Sequence, residues 1–357
     1  MKKSKLGIVM LISALLLVLG GCNNIPGIDK TGESNALPSS TADITVTSSV
    51  TPVTLTSLTL EEQSIEAYEK FMKNEMKVSF DRFVKNEYTG ETLFEAGSEY
   101  SLSELLHLVT DHYLEYSTNK KIGYIDYSYI DCGKDGVNEL ALRFNGIDIY
   151  YEDDDSTLVY IIKYIDGKLS VCYYYETWVR SDSAINKYGY YKSSGSGGAS
   201  NHGEEYGLID KDGNWHFIAS IESELDINQL AWSDELKQIP ETAETKGISG
   251  NIELITLCFD KSVYEFNTDE VGHKERFYTF NVYDDNWELI EDENLYTNSI
   301  YKEIFDEASV PFITPDEVSD MISEKEKEVG ATAEIKEGSE LTWKTLDGSI
   351  FSDYVER

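Results

Sequence analysis

Apolar positions recur at two different periods along the chain, and the change of period divides it. From Leu58 to about residue 117 they fall three and four apart. Ile65, Tyr68, Phe71 and Met72 make one stripe, and Leu102, Leu105, Leu106, Val109 and Tyr113 a second. Each stripe follows a Thr or Ser with Glu three residues on, Thr59 with Glu62 and Ser101 with Glu104, the reciprocal cap that satisfies the first amides of a helix. Two amphipathic helices are predicted, each laying one stripe onto a core. After Lys121 the apolar residues alternate or run continuously, punctuated by the turn-forming pairs Asp135-Gly136, Asn145-Gly146, Asp166-Gly167 and Asp212-Gly213. This predicts an antiparallel meander with strands at 123–130, 139–144, 147–151, 158–165, 168–178, 205–209 and 215–221, then 252–259, 262–266, 275–283 and 287–290. Helical spacing returns at Asn298–Ala308 and Pro315–Val329, the latter with Thr314 as N-cap, Glu317 as capping acid and Gly330 as stop. Strands clustered between helices, rather than alternating with them, predict an α+β fold. Its expected form is a twisted or sandwich-like β-meander in one body from 58 to 357, with helices at 58–117, strands at 122–291 and helices at 297–330.

The N-terminal pattern is of another kind. Lys2, Lys3 and Lys5 precede an uncharged run of 16 residues, Leu6 to Gly21, which reads as an export signal over 1–21. It falls short of the roughly 20 residues that span a bilayer. The run ends Leu19-Gly20-Gly21-Cys22, which resembles the lipobox of bacterial lipoproteins of the Gram-positive type. The resemblance implies cleavage before Cys22, a diacylglycerol thioether on its sulfur, and attachment at the outer face of the cell membrane. More than one acyl chain makes such an anchor durable. Residues 22–57 are rich in Ser, Thr, Asn, Gly and Pro with little aromatic content; they cannot bury enough apolar surface to fold and read as a disordered tether.

Charge narrows the range of partners. Asp and Glu number 66 against 30 Lys and Arg, a formal charge of -36. Such an excess repels nucleic acid and anionic headgroups and draws divalent cations as counterions. Apart from Cys22 the chain has Cys132, Cys172 and Cys258, with no C-x-x-C spacing. An odd count allows at most one disulfide. The strand-like flanks of Cys172 and Cys258 predict small buried apolar residues.

One loop carries candidate metal chemistry. In "YIDCGKDGVNEL", residues 129–140, Asp131, Asp135 and Glu139 occupy positions one, five and nine around Gly136 at six. An EF-hand is excluded, because Gly133 offers no ligand at three and Arg143 stands where twelve needs a bidentate glutamate. The stretch more closely resembles the Asp-rich hairpin loops of FG-GAP and integrin-type repeats. That resemblance implies calcium as a cofactor held by the carboxylates of Asp131, Asp135 and Glu139 and the carbonyl of Val137, with Gly136 supplying the positive φ of the turn. The residues themselves also allow a solvated turn held by Asx hydrogen bonds. Asp210 to Asn214 has similar lettering, but Ile218 falls at nine, so a turn is predicted there.

Catalytic patterns are scarce, and no catalytic residue is assigned. His107 and His112 share a helix five residues apart, which points them about 140° from each other, and no H-E-x-x-H occurs. The segment 189–207, "GYYKSSGSGGASNHGEEYG", is neither G-x-S-x-G nor G-x-G-x-x-G; it reads as a long mobile loop, or as a substrate-binding one. Among the 25 tyrosines, the runs at 173–175 and 188–191 offer flat faces for a ligand or for cross-strand packing. Trp178, Arg180, Tyr190, Tyr191, His202 and Glu204 are the candidate ligand-binding residues. The expectation is a non-enzymatic, lipid-anchored surface protein that binds an extracellular or cell-wall ligand. Two alternatives stay open: a transporter's solute-binding lipoprotein, which would need two lobes of βαβ units, and a secreted hydrolase using 189–207.

Overall fold

The computed structural model describes residues 58–80, 94, 97–114, 119–147, 156–232, 236–248, 251–259 and 276–356. Cys22, the tether and the expected strand 262–266 lie outside the described residues, as does all of the expected strand 147–151 but its first residue. Both N-terminal helices form where the caps place them. α1 (Leu60–Met72) begins at Thr59 and α2 (Leu102–Tyr113) at Ser101, each with its reciprocal Glu cap. Their stripes, with Tyr68, Phe71, Leu105, Leu106 and Val109 fully buried, press onto one face of a seven-stranded sheet.

That sheet consists of β1 (Val78–Ser79), β2 (Glu99–Tyr100), β3 (Tyr124–Ile130), β4 (Glu139–Ile147), β5 (Ser156–Ile165) and β6 (Lys168–Thr177), with β13 (Lys344–Thr345) at one edge. Its order is β13-β3-β4-β5-β6-β1-β2, antiparallel except where β1 runs parallel to β6. The chain then crosses into a second, six-stranded antiparallel sheet. Its strands β7 (Ser181–Ile185), β8 (Tyr190–Ser196), β9 (Asn201–Ile209), β10 (Trp215–Glu224), β11 (Ile252–Cys258) and β12 (Arg276–Val282) lie side by side in chain order. The fold is therefore α+β, built on two meanders. Among the described residues, no helix is long and apolar enough to cross a membrane.

Alternation assigns each strand residue to a face. On the first sheet, Leu142, Phe144, Leu158, Tyr160 and Ile162 face the helices. Ala141, Val159, Ile161, Tyr173 and Tyr175 face the other way, onto Ile185, Tyr191 and Ile209 of the second sheet. Trp215 seals this contact, its ring stacked on Tyr173 at 3.8 Å and 8°. The second sheet's outer face is covered by α5 (Pro315–Glu328) and α6 (Ala333–Lys336). Its inner face away from the first sheet is covered by α3 (Gln238–Lys246) and α4 (Ile300–Ala308), with Ile239, Phe280, Ile304 and Phe305 buried between them.

Three local expectations are corrected. Asn145-Gly146 is not a turn between strands but lies within β4, where Gly146 at φ +76° forms a bulge. A Cβ on Gly146 would stand 3.0 Å from the Gly123 amide nitrogen, so the bulge also serves a close backbone approach. The segment 189–207 is not a long loop; it is almost entirely the β8–β9 hairpin. The expected strand 287–290 reduces to a single bridge between Tyr283 and Leu289.

Candidate functional site

The acidic loop forms a tight turn with its own internal bonding. Asp131 Oδ1 accepts the Gly136 amide at 3.0 Å, and Asp135 Oδ1 accepts the Val137 amide at 2.8 Å. Gly133 (φ +69°) and Gly136 (φ +83°) take the left-handed conformations. Glu139 points away from solvent and is fully buried. Its carboxylate accepts the Cys132 amide at 2.8 Å and pairs with Lys163 Nζ. Burial pushes the Glu139 carboxyl up to about 7, with Lys163 opposing that shift. Arg143 is committed elsewhere, donating to Asp126 at 2.7 Å and lying over the Trp343 ring. Asp131, Asp135 and Glu139 are thus adjacent in sequence but turned to different partners. Among the described residues, no three His, Cys, Asp or Glu side chains come together as a set able to hold a metal ion. At Asp210 the carboxylate gathers the amides of Asp212 and Asn214 at 2.9 and 2.8 Å and contacts His216 Nε2 at 2.7 Å, closing the expected turn.

The six candidate ligand-binding residues do not converge. Tyr191 is 2% exposed, locked among Tyr173, Tyr175 and Trp215, so it is core and not surface. Its neighbour Tyr190 faces the opposite side of the same strand, where its hydroxyl donates to Glu326 on α5 at 2.9 Å. Glu204 accepts from the Tyr206 hydroxyl on that outer face. His202 and Arg180 are exposed near the tip of the β8–β9 hairpin, and half-buried Trp178 holds the turn into β7 through its amide and carbonyl. Cys132, Cys172 and Cys258 are all buried and form no disulfide, and the burial of Cys172 and Cys258 is as their flanks implied.

A site that sequence reading missed lies on the inner face of the second sheet. Pairing register aligns Ser183, Ser193, Glu205, Ser220, Cys258 and Arg276 in one row across all six strands. Ser193, Glu205, Ser220 and Cys258 are buried. A polar row in such a position is costly unless its members meet partners. The Ser183 and Ser193 hydroxyls bond at 2.7 Å, and the Arg276 guanidinium stands against the Cys258 thiol and the Tyr278 hydroxyl. The next row on this face carries Glu222, Thr256 and Tyr278.

Where the two rows meet, the sheet opens into a cavity of about 140 Å³ lined by Ser220, Glu222, Thr256, Cys258, Arg276 and Tyr278, with Leu236 as its apolar wall. It lies beside the apolar cluster under α3 and α4, to which Tyr278 and Leu236 belong. Burial raises the Cys258 thiol, and the charge of Glu222 adds to the rise while Arg276 opposes it. A thiol held protonated is a poor nucleophile. The arrangement offers one guanidinium, one carboxylate and three hydroxyls to a small occupant. No protein-family model matches the chain, and neither a curated protein nor a solved structure matches it.

Proposed function

We propose that the chain is an exported surface protein, held to the outer face of the cell membrane by lipid on Cys22, whose folded body binds an extracellular ligand without transforming it. The observation that carries the binding half is the cavity between two rows of the second sheet. There Glu222 and Arg276 line the same small space over a floor of Ser220 and Cys258. Concave sites with a few convergent polar groups on a rigid scaffold are the usual form of a small-molecule site. The protonated thiol favours holding over reacting. The anchoring half rests on the Leu19-Gly20-Gly21-Cys22 sequence.

Two readouts on the full chain test the halves separately. Metabolic labelling with an alkyne fatty acid should tag the wild type, and Cys22→Ala should lose the tag and keep its leader. A panel of wall fragments, glycans, peptides and small metabolites, screened by thermal shift, should yield a ligand that raises Tm through preferential binding to the folded state. An untagged wild type would overturn the anchor. A panel without a stabilising ligand would overturn the binding reading.

A further inference from the structure

The charges around the cavity are of opposite sign and are held apart by the sheet itself. Glu222 is on β10 and Arg276 on β12, with β11 between them. Their register partners on β11 are Thr256 and Cys258, two residues apart. With strands about 4.8 Å apart and about 3.3 Å of rise per residue, the two Cα atoms sit diagonally about 12 Å apart. Their side chains rise from one face and reach into one space. Cys258 lies between them, feeling the charge of both. Such a frame presents a cation to one end of an occupant and an anion to the other, with hydroxyls of Ser220, Thr256 and Tyr278 around the middle.

Size limits the occupant. A cavity of about 150 Å³ holds a molecule the size of benzene, about six non-hydrogen atoms. The volume here is about 140 Å³, which excludes a sugar chain or a peptide from lying wholly inside. A guanidinium receives a carboxylate through paired hydrogen bonds, and a carboxylate receives an ammonium. We propose that the cavity binds a small zwitterion of the α-amino-acid class, carboxylate on Arg276 and ammonium on Glu222, with a side chain no larger than that of alanine or serine. The proposal rests on the binding half of the function above and names its ligand class.

The test is calorimetric titration of the full chain with glycine, alanine, serine and threonine, beside acetate and methylamine as half-ligands. Saturable binding is expected for at least one amino acid, with each half-ligand at least about tenfold weaker, since a hydrogen bond to a charged group is worth at least about that factor. Arg276→Gln and Glu222→Gln should each weaken the amino acid by a similar factor. A readout on the unaltered protein covers the case in which a variant does not fold. Saturating amino acid should slow methylthiolation of Cys258 by methyl methanethiosulfonate, which forms a methyl disulfide and releases methanesulfinate, read by peptide mass, and leave Cys132 unaffected. Acetate binding as tightly as glycine, or Cys258 methylthiolated at an unchanged rate, would overturn the proposal. So would a chain that binds no amino acid; if it still binds a wall fragment in the wider panel, the binding reading stands and only the ligand class falls.

Discussion

Two carboxylates, one fully buried and one partly exposed, show how differently the two sheets treat charge. In the first, Glu139 is wholly enclosed and matched: Lys163 pairs with one oxygen and the Cys132 amide donates to the other. In the second, Glu222 belongs to a wall that leaves space between itself and Arg276. The first arrangement consumes its polar groups in holding the fold. The second lines a volume with some of its polar groups. The contrast teaches that acidic lettering in a sequence is a poor guide to where ligand chemistry lies. The acid-rich turn at 131–139 is turned inward on itself, whereas the cavity draws its polar residues from three strands with no motif among them.

Lys163→Met leaves Glu139 buried without its cation, and a loss of about 3–5 kcal/mol in unfolding free energy is expected at pH 8. The loss should shrink at pH 5, where Glu139 is protonated. Wild-type stability carries the same signature. Because Glu139 titrates near 7 in the fold against an ordinary 4.5, the folded state binds its proton more tightly. The stabilisation that results is complete below about pH 4.5 and is lost as pH rises through about 7. It amounts to about 3 kcal/mol, and urea denaturation across that window in wild type and Glu139→Gln should show the slope disappear. Gly207→Ala comes next: a Cβ there would lie 2.0 Å from the Trp215 ring. Overpacking of this kind costs about 1–3 kcal/mol, with a change in tryptophan fluorescence as the ring shifts. Thr256→Val, at the cavity wall, should cost less than about 1 kcal/mol while weakening whatever occupies the cavity, so stability and binding separate there. Asp135→Ala is comparably small, about 0.5–1 kcal/mol for one Asx hydrogen bond. A calcium-dependent rise in Tm that this substitution abolishes would show the turn to hold an ion as well as to bend the chain.

Much of the architecture was legible because it rests on local signals. The caps at Thr59, Ser101 and Thr314 are formed as their lettering implies, and the strands from Tyr124 to Thr177 follow their apolar runs. The β8–β9 hairpin was not legible, because its Ser and Gly content mimics a loop. Those residues are small for packing reasons: Gly207 underlies the Trp215 ring, and Ser193 meets Ser183 across the strands. Asn145-Gly146 misled in the same way, since a bulge and a turn ask for the same positive φ at glycine. The cavity could not be read at all. Its residues are 56 positions apart in sequence from Ser220 to Arg276, and only strand register brings them together. Tyr191 was legible as an aromatic but not as to face, because a single-residue error in register moves a side chain from surface to core.

The first helix holds the acidic turn by one residue. Tyr68 donates its hydroxyl to the Asn138 carbonyl and accepts the Tyr164 amide, while Glu61 takes both the amide and the side-chain nitrogen of Asn138. Peeling α1 from the sheet would therefore strip Asn138 of three hydrogen bonds at its end of the hairpin, and loosening the hairpin would release α1. The two should exchange their amide protons as one cooperative unit, at a common rate set by a shared opening event. A pull delivered through residues preceding Leu60 would thus be felt first at the 131–139 turn, some seventy positions further along the chain.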